Sequence, residues 1–298
     1  MSAGLVTEAS ASVPGLAQDR PVVAATRRPR SFLVWLSMAW LGLIVFVAIF
    51  ADLLPFASYA TPVGMPRLGP SADSFDQLFG LDGLGRSVIS RLAYGTRVSL
   101  LVGALAGVAA MLIGTLLGLA AGFFRGKVEA VIMYFTDAFL AFPPLVLLLA
   151  ISAILLPSYN TLLIGLTVVV TPTFIRLARA NTMTWSAREF IMAATNLGAG
   201  RARIAFREVL PNVVPSVLAY FPTVVAALIV AEGSLSFLGL GIPSPTPSWG
   251  GLISDGKDYL RDSPFLVMIP SVAIFLTVFA LNQVGDWARA KFDVTARD

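Results

Sequence analysis

The residues most suggestive of chemistry form one glycine-rich heptapeptide. It reads Gly251-Leu-Ile-Ser-Asp-Gly256-Lys257 and fits the first seven positions of a phosphate-binding P-loop. The eighth position does not fit, because Asp258 stands where a Ser or Thr hydroxyl would hold Mg²⁺, and its carboxylate would repel phosphate. No buried strand is predicted before it. We therefore expect a glycine-rich turn here and no nucleotide site.

Two carboxylates inside apolar sequence are the other chemical candidates, Glu232 and Asp137. A carboxylate deep in a bilayer is disfavoured by roughly 2.5–3.5 kcal/mol on insertion scales, so each should face protein or water. Either one could line a transport pathway. Alternatively, Glu232 makes a hydrogen bond between helices and Asp137 caps a helix near the membrane surface.

The chain contains no Cys and no His. This excludes disulfides, thiol nucleophiles, Cys/His zinc sites and imidazole catalysis. The sequence also lacks paired carboxylates at catalytic spacing and a basic, aromatic-rich surface for nucleic acid. We expect a non-catalytic chain that binds no metal, no cofactor and no nucleic acid.

The elements that position these residues are apolar helices. Of 298 residues, 57% are hydrophobic and 13% charged, and the mean hydropathy is +0.82. A soluble domain could not bury so much apolar surface. Stretches long enough to cross a bilayer, roughly 20 residues each, lie near 32–54, 98–124, 131–156, 161–180, 213–238 and 265–284. The composition predicts an all-α integral membrane protein with six transmembrane helices.

Proline and glycine predict details of these spans. The Pro143-Pro144 pair should interrupt the third span, and Pro172 lies within the fourth. Glycines recur on one side of the second span and should let helix backbones approach closely, either within the subunit or between subunits. They are Gly103, Gly107, Gly114, Gly118 and Gly122.

The distribution of Lys and Arg predicts the orientation. With the N-terminus in the cytoplasm, the outer segments hold only six of the 21 cationic residues, namely Arg67, Arg86, Arg91, Arg97, Lys257 and Arg261. The other fifteen lie in the inner segments. The positive-inside rule therefore places both termini in the cytoplasm.

The segment 186–212 is cationic and should form two short helices at the inner surface. Ser186 and Glu189 match a capping box, which predicts a helix from Ala187, and Gly198 should end that helix in a left-handed cap. Its apolar face is formed by Phe190, Ile191, Ala194 and Leu197. A second amphipathic helix should run from about residue 201 to 210 and end at Pro211. The pair either packs on its own bundle or leaves one face for a partner.

At this point the residues resemble a known motif. Met192-Ala193-Ala194, then Gly198, then Leu210-Pro211 are similar to the EAA loop of permease subunits of ATP-binding-cassette (ABC) importers. Met192 replaces the Glu of that motif, and Glu208 stands where the motif has Ile. The resemblance implies a coupling helix that docks in a groove of a separate ATPase subunit. The resemblance also implies that Glu189 and the motif residues form the loop that couples this chain to the ATPase.

Two further stretches resemble the second (C-type) permease of peptide/nickel importers. They are FGLDGLGRSVISRLAYGTRVSLLVG (79–103) and SLSFLGLGIPSPTPSWGGLISDGKDYL (234–260), followed by FLTVFALNQVGDWARAKFDV. The likeness extends over roughly residues 30–295. It implies the type I ABC importer permease fold, with a cytoplasmic tail (1–31), a first helix and extracytoplasmic segment (32–97), a five-helix core (98–284) containing the coupling loop (181–212), and a C-terminal tail (285–298).

The same resemblance implies the partners and the function. It implies a heterodimer with a homologous second permease, two ATPase subunits that hold ATP and Mg²⁺, an extracytoplasmic binding protein, and surrounding lipid in a bacterial inner membrane. The cargo would be di- or oligopeptides. The alternative is a proton-coupled secondary carrier or channel with Glu232 and Asp137 as protonation sites, although no inverted repeat is visible.

Overall fold

Residues 31–292 are described in a computed structural model, and this part of the chain is helical apart from turns and two isolated β-bridges. The predicted N-terminal tail, except its last residue, and residues 293–298 lie outside the described residues. The helices are α1 (Ser31–Phe50), α2 (Val88–Phe124), α3 (Gly126–Ala141), α4 (Pro144–Leu155), α5 (Tyr159–Ser186), α6 (Glu189–Asn196), α7 (Arg201–Arg203), α8 (Leu210–Phe237), α9 (Trp249–Gly256) and α10 (Phe265–Phe292). Short 3₁₀ turns lie at Phe75–Gln77 and Lys257–Tyr259, and a π-helical segment at Ile204–Val209.

Five helices are long and apolar enough to cross a membrane, and a sixth span is possible as the bent pair α3 and α4. The two halves of that pair meet at 91°. The bend occurs at Phe142 and Pro143, whose ψ angles of 135° and 128° are extended rather than helical. A residue before proline disfavours the helical region, which explains the break. The predicted interruption of the third span and the all-α membrane fold are both confirmed.

Several helices run further than the predicted spans because hydropathy detects only the apolar part of a helix. Helix α2 begins at Val88 rather than near 98, and the Ser87 side chain caps it by accepting a hydrogen bond from the Ser90 N–H. Helix α10 continues to Phe292 rather than ending near 284. Prolines 172, 215, 222 and 270 lie inside helices, as is tolerated where neighbouring helices surround them.

The glycines of α2 mark close helix contacts within this chain. A Cβ atom placed on Gly114, Gly118 or Gly122 would lie 2.5–2.8 Å from atoms of α5. Added Cβ atoms on Gly103 and Gly107 would instead lie 3.1 Å from side chains of α8. Of the two alternatives, the stripe therefore serves packing inside the subunit.

These contacts also fix the directions of the helices. Gly114 meets Phe174 and Gly122 meets Thr182, so α2 and α5 are parallel. Helix α10 runs antiparallel to α8, since Gly285 meets Thr223 while Gly233 lies near Ile274. Consequently α6, the turn at Arg125 and the last residues of α10 lie at one end of the bundle, here called the α6 end. Residues 51–87 and α9 lie at the opposite end, the α9 end.

Candidate functional site

The start of α6 differs from the prediction. Ser186 is the last residue of α5, and α6 begins at Glu189 after Arg188, whose side chain makes no capping bond. The capping-box assignment was wrong because Ser186 is still held in the helical conformation of α5, whereas an N-cap residue needs an extended one. The Arg188 guanidinium instead lies over the Trp185 ring, 5.5 Å from its centroid.

The end of α6 is as predicted. Gly198 has φ +80°, and its N–H donates to the Thr195 carbonyl at 3.0 Å. The Ala199 N–H donates to the Ala194 carbonyl at 3.1 Å, which closes the helix end. The left-handed glycine cap is therefore confirmed, and it turns the chain back toward α8.

The predicted apolar face of α6 divides between the bundle and its surroundings. Ile191 is 6% exposed and belongs to the main core, with Ala194 packed against it. Phe190 is 42% exposed and Leu197 is 88% exposed, so both point away from that core. A two-turn helix touches the bundle along one narrow line only, and the flanking positions remain outside. Of the motif residues, Met192 and Ala193 are also exposed.

The second predicted helix does not end at Pro211. Helix α7, the π-helical segment and α8 form one continuous helical run from Arg201 to Phe237. Pro211 is the second residue of α8, which begins directly after the π-helical segment. A π-helical segment changes the hydrogen-bond spacing of the backbone, which accommodates a proline without a donor N–H. Leu210 and Pro211 therefore belong to the membrane helix rather than to the loop.

The α6 end carries exposed positive charge. Arg201, Arg203 and Arg207 are all exposed, and within residues 31–292 they form no ion pair. Glu189 is likewise exposed and forms no ion pair in the described part of the chain. An exposed, charged surface of this kind suits contact with another polar surface rather than burial in lipid.

The P-loop-like heptapeptide is helical rather than a turn. Most of it forms the short helix α9, which the Ser248 side chain caps by accepting a hydrogen bond from the Gly251 N–H. A Cβ atom on Gly250 would lie 2.5 Å from Gly233 Cα, so α9 lies directly on the backbone of α8. The glycines here permit helix contact, and the predicted glycine-rich turn is wrong because these residues form a packed helix.

Glu232 lies in a polar cluster beneath α9. Its side chain is fully buried and accepts hydrogen bonds from Ser99 Oγ at 3.1 Å and Ser236 Oγ at 2.7 Å. Ser99 Oγ also accepts from the Trp249 N–H at 3.2 Å. The cluster thus joins α2, α8 and α9. This arrangement favours the alternative in which Glu232 makes helix–helix hydrogen bonds, and it does not place the carboxylate on an accessible pathway.

Two substitutions of Glu232 distinguish a role in helix–helix hydrogen bonding from a role as a titrating group on a pathway. Glu232→Leu leaves buried hydroxyls without a partner and should lower the free energy of unfolding by about 1–3 kcal/mol. In Glu232→Gln the shape is kept and the serine hydroxyls can rotate to pair with the amide, so both thermal stability in detergent and transport should stay close to wild type. Loss of transport in a stably folded Glu232→Gln variant would instead indicate a titrating pathway group.

Asp137 takes part in an interhelical ion pair. Its Oδ1 accepts from Arg176 Nη2 at 2.7 Å, and both side chains are more than half exposed. A second pair joins Glu129 of α3 to Arg179 of α5. The capping role expected as the alternative is not observed, because Asp137 lies within α3. Its exposure leaves a role along the pathway as a prediction.

The densest ionic cluster lies at the α9 end. Asp82 Oδ2 is 2.7 Å from Arg86 Nε and 3.2 Å from Arg91 Nη1. Arg91 Nη2 is 2.9 Å from Asp255 Oδ2 in α9. Asp82, Arg86 and Arg91 are 5%, 6% and 2% exposed. The cluster therefore fastens the segment before α2 to α9.

A more exposed ion pair lies nearby. Arg97 Nη2 donates to Asp52 Oδ2 at 2.9 Å, and this hydrogen bond lowers the pKa of the Asp52 carboxyl below its ordinary value. This ion pair joins the end of α1 to α2.

Within residues 31–292, no three acidic side chains converge as they would around a metal ion.

The distant partners in the Asp82 cluster and in the Glu232 cluster could not be predicted from the sequence. Arg86 and Arg91 stand out in the sequence as cations before and within the start of a membrane helix, but no local pattern there, or around Ser99 and Ser248, indicates their distant partners. The spacing of Asp82 and Arg86, four residues apart just before a membrane helix, could have suggested an ion pair. Asp255 could not have been matched to it, because the contact joins residues 164 apart in sequence.

Comparisons with known proteins agree with this architecture. The family described as "Binding-protein-dependent transport system inner membrane component" matches residues 114–297. The chain is 38% identical to the dipeptide transport system permease protein DppC of Alkalihalophilus pseudofirmus, over 86% of this chain and 85% of that protein. It is 37% identical to the glutathione transport system permease protein GsiD of Pectobacterium atrosepticum, over 76% of this chain and 74% of that protein.

A third relative is the di/tripeptide transport system permease protein DppC of Pseudomonas aeruginosa, 38% identical over 72% of this chain and 71% of its own length. The family match covers more than half of the chain and includes α6 and the whole of α8. Together with the bundle of apolar helices, these likenesses establish that the chain belongs to the family of binding-protein-dependent transport system inner membrane components.

Proposed function

We propose that this chain is the permease subunit of an ABC importer for short peptides, coupled to separate ATPase subunits through α6. The observation that carries the proposal is the position of α6. It is tied to the main core by Ile191 and Ala194, while Met192 and Leu197 extend outward from the end of the bundle. The names of the relatives support peptides as cargo.

The geometry suits transmission of force. Helix α6 lies between the end of α5 and the continuous run from Arg201 to Phe237, whose 37 residues span about 55 Å at 1.5 Å per residue. A displacement of α6 would therefore move two membrane helices. The far end of the same run carries Ser236, which donates to Glu232 and lies 3.4 Å from the hydroxyl of Ser248, the cap of α9. Movement at the α6 end can thus reach the α9 end through one continuous helical run.

We propose further that the α6 end faces the cytoplasm and that this chain does not hydrolyse ATP. The excess of Lys and Arg in the segments at that end supports the orientation. Closure of an ATPase dimer would draw the coupling helices of this chain and a homologous permease together. Peptide delivered by an extracytoplasmic binding protein would then enter from the α9 end. ATP and Mg²⁺ would be bound by the ATPase subunits.

Charge placed on the exposed tip of α6 should uncouple the transporter. In the complex reconstituted in vesicles, Leu197→Asp should reduce ATP-dependent dipeptide uptake at least tenfold, because a loss of about 1.4 kcal/mol in binding of the ATPase subunit suffices for that factor. The variant should still fold, since Leu197 contacts little of its own chain. Uptake and co-purification of the ATPase are the two measurements.

Leu53→Asp is the matched control. Leu53 is 80% exposed, comparable to Leu197, but it lies at the α9 end. It should retain ATPase association. Equal loss of uptake and of ATPase association in Leu197→Asp and Leu53→Asp would indicate general destabilisation and would contradict coupling through α6. Uptake that follows a proton gradient in ATP-depleted vesicles would contradict the proposed importer and favour a secondary carrier.

A further inference from the structure

An apolar groove of about 350 Å³ lies between α2, α3 and α5. It falls within the roughly 300–1,000 Å³ range of small-molecule sites. Its wall includes Ile113, Leu117, Val131, Phe135, Val168 and Pro172. Thr136 is the one buried residue of α3, so the groove is open along α3 toward the surroundings of the bundle.

The hydroxyl groups of the groove are already paired. Thr136 Oγ1 donates to the Ile132 carbonyl and Thr171 Oγ1 to the Thr167 carbonyl, both at 2.7 Å. Thr167 Oγ1 donates to the Ala106 carbonyl at 3.5 Å. The groove therefore presents methyl and aromatic groups rather than free donors. A peptide would lose its hydrogen bonds to water there, whereas a hydrocarbon chain has none to lose.

Two positive charges lie at the α6 end of the groove. The chain folds back between α2 and α3 at Arg125 and Gly126, which have φ +51° and +57°. Lys127 follows immediately, one helical turn before Val131 in the groove wall, so the two side chains share a face of α3. The axial distance between them is about 6 Å.

These charges are not neutralised within residues 31–292. Arg125 and Lys127 are exposed and form no ion pair there. The nearest acidic residue in sequence, Glu129, is already paired with Arg179. An apolar groove that ends at two cations with no ion pair in the described part of the chain matches the two parts of a phospholipid with an anionic headgroup.

We propose that the groove binds one acyl chain of an anionic phospholipid, whose phosphate rests on Arg125 and Lys127. The lipid would fill the space that separates α3 from α2 and α5. Because α3 has few other buried contacts, the lipid would help to hold this helix against the bundle. This role is independent of the cargo and of the ATPase partners.

Retention of lipid by the purified complex tests the proposal. The full chain, in the complex with which it purifies, is equilibrated with phosphatidylcholine vesicles that do or do not contain phosphatidylglycerol. Bound lipid is then counted by native mass spectrometry. Wild type should retain one phosphatidylglycerol in preference to phosphatidylcholine. Arg125→Gln and Lys127→Gln should each weaken its binding about fivefold, and the double variant roughly 25-fold, since each cation near anionic lipid contributes on the order of 1 kcal/mol.

Val168→Trp fills the groove from α5 and should displace the lipid with the charges intact. The matched controls are Lys291→Gln, an exposed cation at the same end, and Phe275→Trp on the exposed side of α10. Both should retain the lipid. Should Val168→Trp fail to fold, the two charge variants test the site alone, because they lie in an exposed turn.

Two results would overturn the proposal. One is equal retention of phosphatidylglycerol by wild type, the double charge variant and Lys291→Gln, which would indicate only surrounding bulk lipid. The other is efficient cross-linking of Phe135→Cys to a second permease in the intact complex, which would show that a protein helix covers the groove.

Discussion

Replacing Asp82 by asparagine is expected to lower the free energy of unfolding by about 3–5 kcal/mol, the range for breaking a buried ion pair from one side. Asp82 is the buried acid between Arg86 and Arg91, at 2.7 and 3.2 Å. Its Oδ1 also accepts hydrogen bonds from the Leu84 and Arg86 N–H groups. Without the carboxylate, two buried guanidinium groups would depend on the half-exposed Asp255 alone.

The measurement is the thermal stability of the purified protein in detergent, followed by size-exclusion fluorescence. Asp73→Asn is the matched control, because Asp73 lies in the same segment between α1 and α2 but is exposed and forms no ion pair within residues 31–292. It should be neutral. Adding Arg91→Gln to Asp82→Asn should cost less than the sum of the two single changes, because the pair interacts directly. If the losses of stability were additive, Asp82 and Arg91 would not interact, which would contradict the ion pair described between them.

Replacing Gly118 by alanine is also expected to lower the free energy of unfolding strongly. In Gly118→Ala, the new Cβ would lie 2.5 Å from the Ile175 carbonyl oxygen, 2.7 Å from Ala178 Cβ and 2.9 Å from the Arg179 nitrogen. Two of these atoms are helix backbone and cannot rotate away, so α2 and α5 must separate. We expect a loss of about 1–3 kcal/mol, the usual range for overpacking a core, in spite of the better helix propensity of alanine.

Gly42→Ala is the internal comparison. Gly42 lies in the membrane helix α1, and nothing lies within 4 Å of the added Cβ. Alanine is favoured over glycine in a helix by about 1 kcal/mol, so this variant should be neutral or slightly stabilised. Of the two identical substitutions, only Gly118→Ala should therefore lower the melting temperature. A shift of the same sign and size in both would show that α2 and α5 do not pack as closely as described.

Two polar clusters, one around Asp82 and one around Glu232, would resist movement of α9 relative to the bundle. The Asp82 cluster and the Glu232 cluster both attach α9 to the bundle, one through Asp255 and one through Ser99 and Trp249. Helix α8 carries Glu232 and is continuous with the segment that follows α6. Since α9 has polar attachments to both α2 and α8, displacement of α8 relative to α2 would act first on these bonds.

The parts of the site that could be predicted are local. Gly198 was placed correctly, because a left-handed helix cap depends on backbone freedom at one residue. The capping box at Ser186 and the helix end at Pro211 were wrong for a common reason. In both places a neighbouring membrane helix extends past the sequence signal, since its own hydrogen bonds and packing outweigh a single local preference.

The amino-acid sequence by itself determined the class of the protein: apolar runs long enough to cross a bilayer, the break at Pro143-Pro144, the glycine side of α2 and the excess of cations in alternate segments. Each of these follows from composition or from residues near one another in the chain. Only the tertiary structure decided that Glu232 is a buried link, that the apparent P-loop is helix α9, and that Arg91 is clamped between Asp82 and Asp255. The physical reason is that the energy of a buried charge or a close glycine contact depends on which distant helix lies against it, and local sequence carries no record of that neighbour.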